Sequence, residues 1–157
     1  MIVRSIEPSD EESYLAILES TTAEDRYCRF FHLVDHFDRD EVHRFVETRA
    51  DMLGVIAHDG DVPLGAAHAA LLDDQSAELA IVVSGNARHS GVGTALLDAL
   101  IARLKERGFR RLLACALREN RAFEHLAKHA GFHVEQAEGN TFRWVLALTA
   151  AEGAVGR

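Results

Sequence analysis

Ala77-Glu78-Leu79-Ala80-Ile81-Val82-Val83-Ser84-Gly85-Asn86-Ala87-Arg88-His89-Ser90-Gly91-Val92-Gly93 is the stretch from which the fold can be read. Leu79 to Val83 is a near-continuous apolar run, the pattern of a buried strand. Ser84, Gly85 and Asn86 break it. Arg88 to Gly93 then leads into a long amphipathic segment whose apolar stripe is Leu97, Leu100, Ile101 and Leu104, with Gly108 as its stop. Strand, small-residue loop and helix start together make an anion site, because free N–H groups and the helix dipole both point into the loop. The loop lacks the Gly-Lys-Ser/Thr ending of a Walker A motif. It also lacks G-x-G-x-x-G, so neither standard nucleotide fingerprint applies.

Outward from this stretch, the preceding chain reads as an antiparallel meander. Residues 51–58 form a strand, Asp59-Gly60-Asp61 a hairpin turn, 64–72 a second strand, 73–76 a turn, and Glu78 to Val83 a third strand. Further back, residues 2–7 read as a strand ended by Pro8. Ser9 and Glu12 form a capping box for a helix carrying Leu15 and Leu18. A helical stretch from Thr22 holds Tyr27, Phe30 and Phe31 on one face, and another from Asp40 to Ala50 holds Val42, Phe45, Val46 and Arg49. Beyond the loop, residues 111–117 form a strand parallel to the one at Glu78, because a helix separates the two. A helix from Asn120 to Ala130 ends at Gly131. Strands follow at 132–135 and 141–148. The expected class is α/β (α+β), with a mixed, mostly antiparallel sheet of six to seven strands and about four helices. Residues 1–150 are expected to form one domain and 151–157 a short, loose tail.

Charge is uneven along the chain. The net is −8, yet residues 88–121 carry 8 basic and 3 acidic side chains, so positive charge gathers where the loop and its helix lie. The acidic remainder argues against nucleic acid as a partner and suits a cationic one. No apolar run approaches a membrane span and the N-terminus lacks a signal pattern, so a cytoplasmic protein is expected. Cys28 and Cys115 read as reduced thiols. His32/His36 and His125/His129 are helical i, i+4 pairs without a closing carboxylate or cysteine, and no metal is expected.

Arg88-x-x-Gly91-x-Gly93 resembles the loop signature of the GNAT acetyltransferases, and Asn120 followed by Gly131-Phe132 resembles that family's next motif. Thr22 to Phe31 and the Glu78 strand are also similar to segments of the bacterial GNAT protein lysine acetyltransferases that modify acyl-CoA synthetases. Those enzymes often carry a regulatory domain; for this 157-residue chain the catalytic domain alone is expected. The resemblance implies acetyl-CoA as co-substrate, lying along a splayed strand end at Ile81, Val82 and Val83, with a main-chain N–H near Val83 polarising the thioester. It implies a pyrophosphate cradle at Arg88, His89, Ser90, Gly91, Val92, Gly93 and Thr94. Asn120 would reach the pantetheine or a nearby backbone group. Glu78, ten residues before Arg88, is the implied general base for an acceptor amine, and an apolar setting would raise its proton affinity. Many relatives protonate the departing thiolate with a tyrosine where this chain has Ala127. Three acceptor readings remain at this point: a protein lysine (on an acyl-CoA synthetase, for example), a small amine, or none, in a non-catalytic acyl-CoA sensor.

Overall fold

A computed structural model describes residues 1–21, 39–87 and 90–149. The segment holding Tyr27, Arg29, Phe30 and Phe31, and with it Cys28, His32 and His36, lies outside these residues, as do Arg88, His89 and the tail.

The chain order is β1 (Ile2–Ser5), a 3-10 turn (Pro8–Asp10), α1 (Glu11–Glu19), α2 (Arg39–Val46), β2 (Met52–Asp59), β3 (Val62–Leu71), β4 (Ser76–Val83), a 3-10 turn (Gly85–Ala87), α3 (Val92–Glu106), β5 (Arg111–Leu117), α4 (Arg121–Ala130), β6 (His133–Glu138) and β7 (Thr141–Ala147). The strands form one seven-stranded sheet, ordered β1-β2-β3-β4-β5-β7-β6. Only β4 and β5 pair in parallel; every other neighbouring pair is antiparallel. The mixed GNAT-type sheet expected from the sequence is therefore present, with seven strands and, among the described residues, four α-helices.

Two apolar layers cover the sheet. On one face α3 buries Leu96, Leu97, Leu100 and Leu104 against Val55, Ala67, Leu79, Leu112 and Trp144. On the other, α1 and α2 bury Tyr14, Ile17, Leu18, Val42 and Val46 against Ile56, Ala66 and Val82. The run of alanines in β3 has a packing reason. Small side chains let helices approach both faces of a central strand, and Ala66, Ala67 and Ala69 are fully buried.

Local chemistry departs from expectation in two places. Ser9 does not cap α1. Pro8 starts a 3-10 turn one residue early, and the reciprocal cap is made by Glu7 and Asp10, with Glu7 N–H donating to Asp10 Oδ2 at 2.8 Å. Asp10 is buried and also takes two hydrogen bonds from the Arg4 guanidinium, at 2.7 and 2.8 Å. The helix expected to reach Ala50 stops at Val46, because Arg49 bridges to Met52 and pairs with Asp51 at the entry to β2.

Candidate active site

The site follows from where β4 and β5 part. Their parallel register runs only from Ser76↔Arg111 to Glu78↔Leu113. Beyond it β4 stays paired to β3 as far as Gly65↔Val83, while β5 stays paired to β7 as far as Leu117↔Thr141. Each strand keeps its other partner, so the sheet splits. A cleft of about 690 Å³ opens in the gap. Leu79 to Val83 line one wall, Cys115 and Ala116 the other. Gly91 to Thr94 close one end, and α4 contributes Arg121, Phe123, His125, Leu126 and His129.

Backbone polarity in the gap can be deduced from the neighbouring ladder. Ser84 N–H donates to the Leu64 carbonyl (2.8 Å) and Leu72 N–H to the Ser76 carbonyl (2.9 Å). In an antiparallel pair each residue sends both backbone groups to one side, and the next residue sends both to the other. Even-numbered positions of β4 thus serve β3. Ile81 and Val83 turn their N–H groups toward β5, past the point where pairing to β5 ends.

At the loop, Gly91 is the N-cap of α3 and has φ +83°, a conformation L side chains rarely adopt. Ser90 Oγ donates to the Ala87 carbonyl, tying the loop to the preceding turn. Gly93 is different. A Cβ there would meet Leu126 at 3.5 Å, an ordinary contact, so Gly93 fits against α4 without strict need of glycine. The α3 N-terminus opens on the cleft with its early N–H groups, the donor set expected of an anion cradle.

Asn120 is the N-cap of α4. Its Oδ1 accepts from Phe123 N–H at 3.0 Å, so of the two roles expected for it the backbone one is engaged, while the residue also lines the cleft. Ala127 is fully buried in the core, and its methyl side chain offers no proton.

Glu78 sits half-buried on β4 at the last pair before the split. It is not part of the cleft lining; Cys115, two residues beyond its partner Leu113 and on the same sheet face, lies between. Burial pushes the Glu78 carboxyl above its ordinary range, and Arg143 partly opposes this. Burial also pushes the Cys115 thiol up, helped by the negative charges of Glu78 and Glu138. Of the expected site residues, the structure brings together Ile81, Val82, Val83, Gly91, Val92, Gly93, Thr94 and Asn120 around one cleft, while Ser90 is bonded to Ala87 within the loop and Glu78 lies outside the lining. Sequence reading did not place Cys115, or the α4 residues Arg121 and His129 that share a helix face with His125, at the cleft. The spacing i, i+4, i+8 marked one helix face, but which face turned to the cleft depended on docking against Trp144.

The family profile of the acetyltransferase (GNAT) family matches residues 14–132. The chain belongs to this family. Among solved structures, the GNAT domain of S. lividans PAT is 27% identical, with a TM-score of 0.84, over 93% of this chain and 89% of that one. The ribosomal-protein-S18-alanine N-acetyltransferase from Escherichia coli superposes with a TM-score of 0.76 at 19% identity, covering 98% and 97%. The PaiA N-acetyltransferase from Thermoplasma acidophilum, in complex with coenzyme A, gives 0.77 at 16%, covering 93% and 98%. The last two share the GNAT fold. Among the described residues no helix is long and apolar enough to cross a membrane, and no group of three or more His, Cys, Asp or Glu is placed to hold a metal ion.

Proposed function

We propose that this GNAT acetyltransferase moves acetyl from acetyl-CoA to the side-chain amine of a protein lysine. The observation that carries the transfer reaction is the split between β4 and β5, which opens directly onto the glycine loop at the start of α3. The cleft suits the co-substrate chemically. Its β4 wall is apolar and matches a pantetheine arm, while the N–H groups from Gly91 to Thr94 suit a pyrophosphate. When bound, acetyl-CoA supplies an acetyl group activated as a thioester. The Val83 N–H, turned toward β5, is the donor we assign to the thioester carbonyl, where it would stabilise negative charge on oxygen. Glu78 takes the proton from the acceptor ammonium. A lysine near pKa ≈ 10.4 is almost wholly protonated at neutral pH, and only the free amine carries the attacking lone pair.

Three features favour a lysine of a protein over a small amine. The Thr22 to Phe31 segment resembles that of protein lysine acetyltransferases, the Glu78 strand does too, and the chain outside residues 88–121 is strongly acidic. An acyl-CoA synthetase is the first target to test. Acetyl transfer to a panel of purified acyl-CoA synthetases, run beside a panel of free amines, decides between acceptors. Transfer confined to free amines defeats the protein substrate. The base is tested separately: Glu78→Gln should bind acetyl-CoA with wild-type affinity and turn it over about 10²-fold more slowly or worse.

A further inference from the structure

The turn that joins β4 to the glycine loop is tied to α1 by a contact that the reaction as outlined does not use. Ser20 is the C-cap of α1. Its hydroxyl donates to the Ile17 carbonyl at 2.6 Å, and the neighbouring Thr21 hydroxyl donates to the Leu18 carbonyl at 2.5 Å, so both close the helix end. Ile17 and Leu18 are buried against Ala66 and Val82 of the sheet, which makes that end a fixed point. A serine hydroxyl has a single proton and two lone pairs. With its proton given to Ile17, the Ser20 oxygen accepts from the Gly85 N–H at 3.3 Å, and the Ser84 hydroxyl stands 3.4 Å from it. Gly85 allows the approach. A Cβ there would lie 3.0 Å from the Ser20 carbonyl oxygen, a tight contact against backbone.

Ser84 and Gly85 sit at a junction. Val83, just before them, turns its N–H toward the gap. Ser84 is buried; its N–H donates to the Leu64 carbonyl on β3 at 2.8 Å, and its carbonyl accepts from the Ala87 N–H at 2.9 Å. The Ala87 carbonyl in turn accepts from Ser90 Oγ, next to Gly91, the N-cap of α3. A run of bonds thus leads from the end of α1 through the turn to the cradle, while β3 holds the strand side. The turn is a 3-10 element, Gly85–Ala87, too short to hold its own angle and opened by a residue of wide conformational freedom. We infer that Ser20 is a positioning residue for the co-substrate: its hydroxyl clasps the Ser84–Gly85 corner to α1 and fixes the end of β4, with its Val83 N–H, relative to the Gly91 to Thr94 cradle. The inference rests on the cleft as the acetyl-CoA site. A ligand held at both places at once binds more tightly when their relative position is set beforehand, because binding then bears less of the ordering cost. Ser20 is not part of the cleft lining and acts only through the turn.

The test is calorimetric titration of acetyl-CoA into the intact chain and its variants, each at a temperature where it is fully folded. Ser20→Ala removes the clasp from an exposed position and should raise the acetyl-CoA Kd on the order of 3- to 10-fold. Ser20→Thr keeps the hydroxyl and should bind nearly as wild type does. Gly85→Ala crowds the Ser20 carbonyl from the other side and should weaken binding to a similar degree. The Ser20→Ala, Gly85→Ala double variant should bind no worse than the weaker single one, because both substitutions break the same contact. Rescue by threonine together with this non-additive loss supports the inference, since a general loss of local structure is not restored by one hydroxyl. An unchanged Kd in Ser20→Ala, an equal loss in Ser20→Thr, or fully additive losses in the double variant overturns it. Failure of the wild-type chain to bind acetyl-CoA defeats the reading of the cleft itself, before any variant is measured.

Discussion

At the scale of single residues, Glu78 links activity to a stability cost. Its carboxyl is raised by burial, with Arg143 opposing. For the proposed base, the acidic limb of kcat/KM should therefore fall above the ordinary carboxylate range. The same shift fixes a stability trend. A carboxylate raised in the folded state binds its proton more tightly there than in the unfolded chain. Stability is thus highest below the unfolded value and falls as pH rises through the folded one. Glu78→Gln removes that cost, so it should unfold at neutral pH no more easily than wild type, and chemical denaturation can check this. Asp10 behaves oppositely. Burial works against its charge, but the Arg4 hydrogen bonds and the Glu7 N–H outweigh burial and hold it below the ordinary carboxylate range. Its contribution is present above the unfolded value and lost as pH falls through the folded one. Asp10→Asn should cost about 1–3 kcal/mol in urea unfolding at neutral pH, with the difference from wild type shrinking in acid.

At the scale of elements, the two glycines of the loop signature carry different burdens. Gly91 sits at φ +83°, so Gly91→Ala strains the start of α3 by roughly 1–2 kcal/mol and should weaken acetyl-CoA binding as the cradle shifts. Gly93 has ordinary room, 3.5 Å to Leu126, so Gly93→Ala should leave thermal stability within about 0.5 kcal/mol of wild type. Calorimetry of unfolding and of acetyl-CoA binding on the two variants separates strain from cradle geometry. Asn120→Ala tests the α4 cap in the same way. It removes the Phe123 N–H partner and should cost about 1 kcal/mol. These start and stop signals were legible because they are local. Gly108 and Gly131 both take positive φ at helix ends, where sequence alone predicts it. The Ser9 cap was misread because Pro8 and Asp10 competed for the same turn, and the pairing of a buried Asp10 with the exposed Arg4 guanidinium decided it.

At the scale of the whole molecule, two helical layers clasp one sheet, and the split in that sheet is held open by what lies on either side of it. Leu100 is fully buried beneath the sheet, and Leu100→Ala should cost about 2–5 kcal/mol, read as a lowered thermal midpoint. Acetyl-CoA at a hundredfold excess over its Kd should return about 2.7 kcal/mol in a thermal-shift measurement if the cleft belongs to the folded state alone. The sequence by itself determined the order of the described elements, the parallel strand after the loop and the glycines at the helix ends. Each is written in periodicity, turn chemistry or motif spacing, which are properties of neighbours along the chain. Only the tertiary structure decided that pairing between β4 and β5 stops at Glu78 and Leu113, that Cys115 and the α4 stripe line the gap, and that Ser20 reaches Ser84 and Gly85. Those facts depend on where strands distant in sequence end against one another and on how α1 docks beside β4. No local pattern encodes either, because register is a balance of packing across the whole sheet.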